Sequence, residues 1–214
     1  MNPMLRALPA NALATLLFVA AACSNGTAST RSATGVAATP NAAATATSAA
    51  SGPAAGASCS GRATPAETAG PYFKPGSPER TSLVDPGMAG TRLTVSGRVT
   101  DLACHPLAGA VLDFWQADAS GNYDNSGYRL RGHQATDADG RYSLLTVVPG
   151  EYPGRTPHIH VNVAAPGRPT LTTQLYFPGA ARNASDSIFD PALLMNVTDA
   201  AGGKLGTYDF VLAG

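Results

Sequence analysis

The 214-residue sequence has little charge and no excess of either sign: 14 basic residues face 14 acidic ones, and charged residues make up 13% of the chain. No basic cluster and no alternation of basic with aromatic residues occurs, so nothing argues for a nucleic-acid partner. Only one apolar run stands out, Ala12 to Ala22, which is too short to cross a bilayer as a permanent helix. There is no Gly-x-Ser-x-Gly, which removes the main serine-hydrolase signature. Asp137 and Asp139 lack the remaining spacing and the late glutamate of a calcium loop, and read as an Asx-type turn. No internal repeat is visible. Histidine is scarce at four residues, and cysteine at three.

What is present divides the chain unevenly. Residues 1–22 read as a signal peptide, with Arg6 at the positive start and Ala20-Ala21-Ala22 as the small residues before Cys23. A cysteine at that point resembles a bacterial lipoprotein signal, in which Cys23 is acylated; simple cleavage is the alternative. The expected location is therefore outside the cytoplasm, membrane-anchored in the periplasm or on the cell surface, with the lipid as the sole membrane contact. Residues 24–58 are almost entirely Ala, Thr, Ser, Gly and Pro, a composition that buries too little apolar surface to offset its ordering entropy, and read as a disordered tether. Residues 59–214 remain as one folded domain. With Cys23 consumed, Cys59 and Cys104 are left as the pair for a disulfide in an oxidising compartment, two buried thiols being the alternative.

Within 59–214, prolines space the segment up to Gly90 too closely for a long helix, and it is expected to wrap the domain edge. Strands are expected from Arg92, over Ala110–Gln116, Arg141–Val148, the stretch around His158, Thr170–Phe177 and Gly206–Leu212, separated by Gly/Pro turns. A short helix over Asp186–Leu194, capped by Ser185 or Asp186, is the one helical element expected. The fold class is all-β: an antiparallel β-sandwich with long active-site loops and at most one short helix.

The chemistry concentrates in Arg155-Thr156-Pro157-His158-Ile159-His160. Side chains alternate across a strand, so His158 and His160 share a face while Ile159 points the other way, an arrangement suited to chelation. His105 and His133 sit in other turns and read as solvated, with a place at the edge of a pocket the alternative for His133. Of the seven tyrosines, Tyr142, Tyr176 and Tyr208 alternate with apolar strand residues and read as core, and Tyr128, in a loop, as rim or solvent-facing. Tyr123 and Tyr152 lie in glycine-containing loops that follow strands, where a sandwich presents functional groups. Phenolate is a hard anionic donor, and two phenolates with two imidazoles favour non-haem Fe(III) over zinc.

Leu112-Asp113-Phe114-Trp115-Gln116 through Gly121-Asn122-Tyr123, Thr136-Asp137-Ala138-Asp139-Gly140-Arg141-Tyr142, Pro149-Gly150-Glu151-Tyr152, Arg155 to His160 and Leu171-Thr172-Thr173-Gln174 together resemble the intradiol ring-cleavage dioxygenases. Gly70-Pro71-Tyr72-Phe73 also looks like that family's lead-in segment. The resemblance implies Tyr123, Tyr152, His158 and His160 as protein ligands of Fe(III), with Tyr152 the one that leaves the metal when substrate binds. It implies Arg155 and Gln174 beside the bound ring, and a small aromatic diol and O2 as reactants. Only five residues separate Tyr152 from His158, where the intracellular catechol and protocatechuate enzymes of the family have a longer excursion. The sequence leaves no room before Arg92 for a long helical dimerisation region, and both features look like the family's secreted branch. The strands and turns also resemble the regulatory-type sandwich modules of carboxypeptidases, which bind without catalysis, but that likeness gives no reason for Tyr123, Tyr152, Arg155, His158, His160 and Gln174 to occur together.

Overall fold

A computed structural model describes residues 59–214. The expected leader (1–22), Cys23 and the tether (24–58) lie outside those residues. Among the described residues, nine strands form two sheets: β1 (Arg92–Asp101), β2 (Val111–Gln116), β3 (Arg131–Ala135), β4 (Arg141–Val147), β5 (His158–Ala164), β6 (Leu171–Tyr176), β7 (Asn196–Ala200), β8 (Gly203–Thr207) and β9 (Phe210–Leu212). One sheet has the order β4-β1-β8-β7, with β9 also pairing β1; the other runs β3-β2-β5-β6. The β3-β2-β5-β6 sheet is antiparallel throughout, whereas β1 pairs β8 and β9 in parallel.

Period-two alternation explains how the layers close. Leu93, Val95 and Val99 of β1, Leu112 and Phe114 of β2, Leu144 of β4, Ile159, Val161 and Val163 of β5, and Phe210 of β9 are all buried in the space between the sheets. Each such side chain contributes roughly 1.5–3 kcal/mol relative to an exposed one. β5 departs from the one-sided pattern, because His158 and His160 on its other face are buried as well. Their cover is the segment before β1. Thr64 N–H bonds to Val211 O, Glu67 N–H to Thr172 O and Thr173 Oγ1 to Pro65 O, which lays this strap along β6 and over the histidine face.

The strap starts at a disulfide between Cys59 and Cys104, whose Cα atoms are 5.7 Å apart. Further along, Arg80 N–H bonds to His133 O and Leu83 N–H to Leu145 O, so the strap crosses from the free edge of β3 to that of β4. It thereby covers part of both sheet edges.

Several elements differ from expectation. β3 carries no apolar alternation, because Arg80 and Leu83 fill the space at Gly132: a Cβ there would lie 2.7 Å from Arg80 Cγ and 2.8 Å from Leu83 Cδ2. β7 is a polar edge strand, equally silent to an apolar pattern. The single terminal strand expected over Gly206–Leu212 is two, β8 and β9, divided at Tyr208-Asp209, where Asp209 Oδ1 accepts from Arg98 N–H at 2.7 Å. The helix expected over Asp186–Leu194 is absent. One 3-10 turn, Ala181–Ala184, precedes the span and a second, Pro191–Leu193, occupies its end, and Asp190 rather than Asp186 caps the second. Asp186 is occupied elsewhere, as described below.

Candidate metal centre

Register across three strands assembles one wall. Trp115 of β2 pairs with His160 of β5, which pairs with Gln174 of β6; one step along, His158 pairs with Tyr176. Trp115, His160 and Gln174 therefore stand in a row on the face turned away from the sandwich core. The Trp115 indole lies flat on the His160 imidazole, with centroids 4.8 Å apart and planes within 4°.

His158 Nδ1 donates to Thr156 O at 2.7 Å, which leaves Nε2 with its lone pair free. That nitrogen faces His160 Nε2 at 3.1 Å, a separation that suits two nitrogens sharing one cation. Two loops bring the phenols. Gly150 N–H donates to Asp118 O, which fastens the Tyr152 loop to the Tyr123 loop. Gly121 lies so close to the other loop that a Cβ would be 2.1 Å from Glu151 O. The Tyr123 and Tyr152 rings meet edge-on at 5.7 Å, with Tyr152 5.5 Å from the His158 ring and Tyr123 6.4 Å from that of His160.

Burial decides the charge state. It pushes His158 down to about 4, assisted by the positive charge of Arg155, and holds His160 well below the usual histidine range. It also raises both phenols; Arg155 opposes the rise at Tyr152. Both imidazoles are thus neutral at physiological pH, the form that binds metals. Tyr123 Oη is buried with no hydrogen-bond partner, a costly condition that a cation would relieve. No cluster of three or more His, Cys, Asp or Glu side chains occurs among the described residues, so an ion here depends on phenols for anionic charge. The donor set fits a hard trivalent ion such as Fe(III).

Arg155 and Gln174 stand together beside this group. Arg155 Nη1 donates to Tyr152 Oη at 3.2 Å and Nη2 to Gln174 Oε1 at 2.5 Å, while Gln174 Nε2 donates to Thr68 O of the strap at 3.0 Å. The structure thus brings together all six residues singled out around the His-x-His strand. Of the other residues weighed, His105 is exposed beside Asp101. His133 is a correction to the solvated expectation: it is half-buried on β3, with Nδ1 3.1 Å from Ser77 Oγ. Asp137 forms the expected Asx-type turn, accepting from Asp139 and Arg141 N–H. Tyr142 is core and donates to Tyr208 O. Tyr176 is buried too, but its hydroxyl is polar machinery, 3.2 Å from Gln174 Oε1 and 3.5 Å from Arg155 Nη2.

Four residues at the site were given no part in its chemistry by the sequence reading. Tyr72 of the strap stacks on Tyr123 at 4.2 Å and 14°, roofing the phenol. Arg131 is buried, 5.9 Å from the Tyr123 ring, with its Nη1 bonded to Tyr72 O at 2.6 Å. Trp115 was legible in principle, since alternation from Phe114 puts it on the histidine face. Asp186, which grips Arg155, left no local signal.

A family model described as "Dioxygenase" matches residues 68–214. The chain belongs to the intradiol ring-cleavage dioxygenase family. It is 35% identical over 151 residues to a hydroxyquinol 1,2-dioxygenase of Nocardioides simplex, a match covering 59% of this chain and 52% of that protein. The matched part thus spans about half the length of such curated relatives. Among solved structures, the dioxygenase domain of a dioxygenase carbohydrate-binding protein fusion from the cellulolytic bacterium Streptomyces sp. SirexAA-E is 62% identical, with a TM-score of 0.70 over 71% of this chain and 99% of that one. The 3-chlorocatechol 1,2-dioxygenase of Rhodococcus opacus is 33% identical, with a TM-score of 0.66 over 72% and 74% of the two chains.

Proposed function

We propose that the chain is a non-haem Fe(III) intradiol dioxygenase that opens the ring of a small catechol-type diol with O2, giving a cis,cis-muconate-type dicarboxylate. The observation that carries the reading is the pair of neutral imidazole nitrogens 3.1 Å apart beside a buried phenol oxygen that has no partner. Tyr123, Tyr152, His158 and His160 would hold the ion, and ferric iron bound there would supply the Lewis acidity that activates a catecholate ring toward O2.

The chain's own residues divide the remaining work. Tyr152 is half-exposed and its oxygen already accepts a hydrogen bond from Arg155 Nη1, so the guanidinium would steady it as a phenolate, the form able to take a proton from the substrate. Arg155 and Gln174, locked to each other, present fixed donors to negative charge that develops on the diol. Tyr72 closes the roof over Tyr123, and Gly70 of the same strap lies over the His160 ring, where a Cβ would stand in ordinary contact, 3.5 Å from Cε1.

Export belongs to the same proposal: a leader over residues 1–22, an acylated Cys23 and the tether over 24–58 would place the domain on the outer side of a membrane. Supporting this is the Cys59–Cys104 disulfide, a bond that persists in oxidising compartments. A binding module on the same scaffold would leave the buried Tyr123 oxygen and the Arg155–Gln174 pair without a use. The deciding experiment is a visible absorption spectrum with an iron assay on the same sample, before and after anaerobic catechol. A broad phenolate-to-iron band that shifts with catechol, followed by ring opening in air, is expected. Protein that stays colourless after ferric loading overturns the reading.

A further inference from the structure

Asp186 was expected to cap a helix that does not form. It is only 7% exposed, and its carboxylate reaches into the metal centre from the segment after the Ala181–Ala184 turn. Oδ2 accepts from Arg155 Nε and from Thr156 N–H, both at 2.9 Å, and Oδ1 accepts from Ile188 N–H at 3.2 Å. Among the described residues it is the only carboxylate in an ion pair with Arg155. A guanidinium is a rigid planar fork, so fixing the direction of Nε fixes where Nη1 and Nη2 point. Here they point at Tyr152 Oη and Gln174 Oε1. Arginine is otherwise a rotamer-rich side chain, and Arg155 springs from a loop, bridged only to Tyr152 within it.

We propose that Asp186 is a positioning residue of the ring-opening reaction, aiming the Arg155 guanidinium at the Tyr152 oxygen and at Gln174, beside the place where negative charge develops on the diol. The assignment rests on the functional reading above. A merely structural role is the rival, because the same carboxylate also holds the Thr156 N–H two residues before His158. The two are separable, since a positioning residue acts only through Arg155.

The test is a cycle of wild type, Asp186→Ala, Arg155→Ala and the double variant, with Asp186→Asn alongside. Each is measured for iron content, melting temperature, kcat and KM for catechol, and the visible band. Asp186→Ala is expected to keep its iron and to lose at least about tenfold in kcat, with KM within about threefold of wild type. Asp186→Asn, whose amide oxygen still accepts from Arg155, recovers most of that loss. In the Arg155→Ala background the Asp186→Ala change alters kcat by less than about twofold. The resting band, sensitive to the donor on Tyr152, moves equally in both single variants and no further in the double. Equal kcat losses from Asp186→Ala in both backgrounds, or none in either, overturn the assignment. Should Asp186→Ala not fold, Asp186→Ser, too short to reach Arg155, takes its place with the same criteria. A wild-type protein that opens no catechol ring overturns the functional reading and this inference with it; an active wild type with additive losses overturns this inference alone.

Discussion

His160 and Tyr142 show how two strand residues with the same local pattern part company. Both are buried on strands, but His160 turns its Nε2 to His158, while Tyr142 satisfies its hydroxyl on Tyr208 O inside the core. Replacing His160 with Ala is expected to abolish stoichiometric iron binding, whereas Tyr142→Phe keeps full iron and costs about 1 kcal/mol for the lost hydrogen bond. An iron assay on both proteins decides this, and full occupancy in His160→Ala would show the ligand set to be wrong.

Asp113 offers a test of electrostatics outside the proposed ligand set. Burial raises its pKa above the ordinary carboxyl value, and the Ser77 hydroxyl bonded at 2.7 Å, with His133 and Arg131, offsets only part of the rise. Ionisation is therefore less favourable in the folded chain than in the unfolded one. This contribution to stability is fully present below the unfolded carboxyl value of 3.8 and is lost as pH rises through the folded value. Asp113→Asn, which still accepts from Ser77, is expected to melt above wild type at pH 7, and the gap should close as pH falls below about 4. A gap that instead widens on acidification would contradict the assignment.

The loops carrying Tyr123 and Tyr152 work as one unit because glycine lets their backbones touch. Gly121, at φ +83, leaves no space for a Cβ against Glu151 O, whereas Gly154, at φ +82, has nothing within 4 Å of its Cβ position. Both substitutions to Ala carry left-handed strain of roughly 1 kcal/mol, and only Gly121→Ala must also push the loops apart. The expected outcome is a sharp fall in iron per chain for Gly121→Ala and near-normal iron for Gly154→Ala. Normal occupancy in both would mean that the loop contact does not set the tyrosine separation. Beneath them β5 must keep its register, since a slip of one residue would turn both histidines into the core and Ile159 out to the strap.

Across the whole domain, the Cys59–Cys104 bond ties the start of the strap to the turn after β1, and the strap runs from there to the roof at Tyr72. Closing a chain separation of 45 residues stabilises by ~4 kcal/mol at most on loop entropy. The Cys59→Ser, Cys104→Ser double variant is expected to melt several degrees lower, with iron binding intact at low temperature. The proposed ligands sit on β5 and on loops held by hydrogen bonds such as Gly150 N–H to Asp118 O. Unchanged melting would show that contacts such as Thr64 with Val211 fasten the strap without help.

The period-two pattern by itself determined much of the sandwich. Alternating Leu93, Val95 and Val99 or Ile159, Val161 and Val163 can bury one face only by packing a second sheet on it, and the same alternation put His158 and His160 on the opposite side. Family resemblance in the motifs extended this to Tyr123, Tyr152, Arg155 and Gln174. What tertiary structure alone decided is everything whose partner is distant in the chain. β3 and β7 had no apolar pattern, because one has its facing space filled by Arg80 and Leu83 and the other lies at a polar edge. The strap covers a sheet face that a half-buried strand would leave to solvent. Asp186 became the anchor of Arg155 across a separation of 31 residues, and no local propensity encodes that contact, since it exists only once two loops meet.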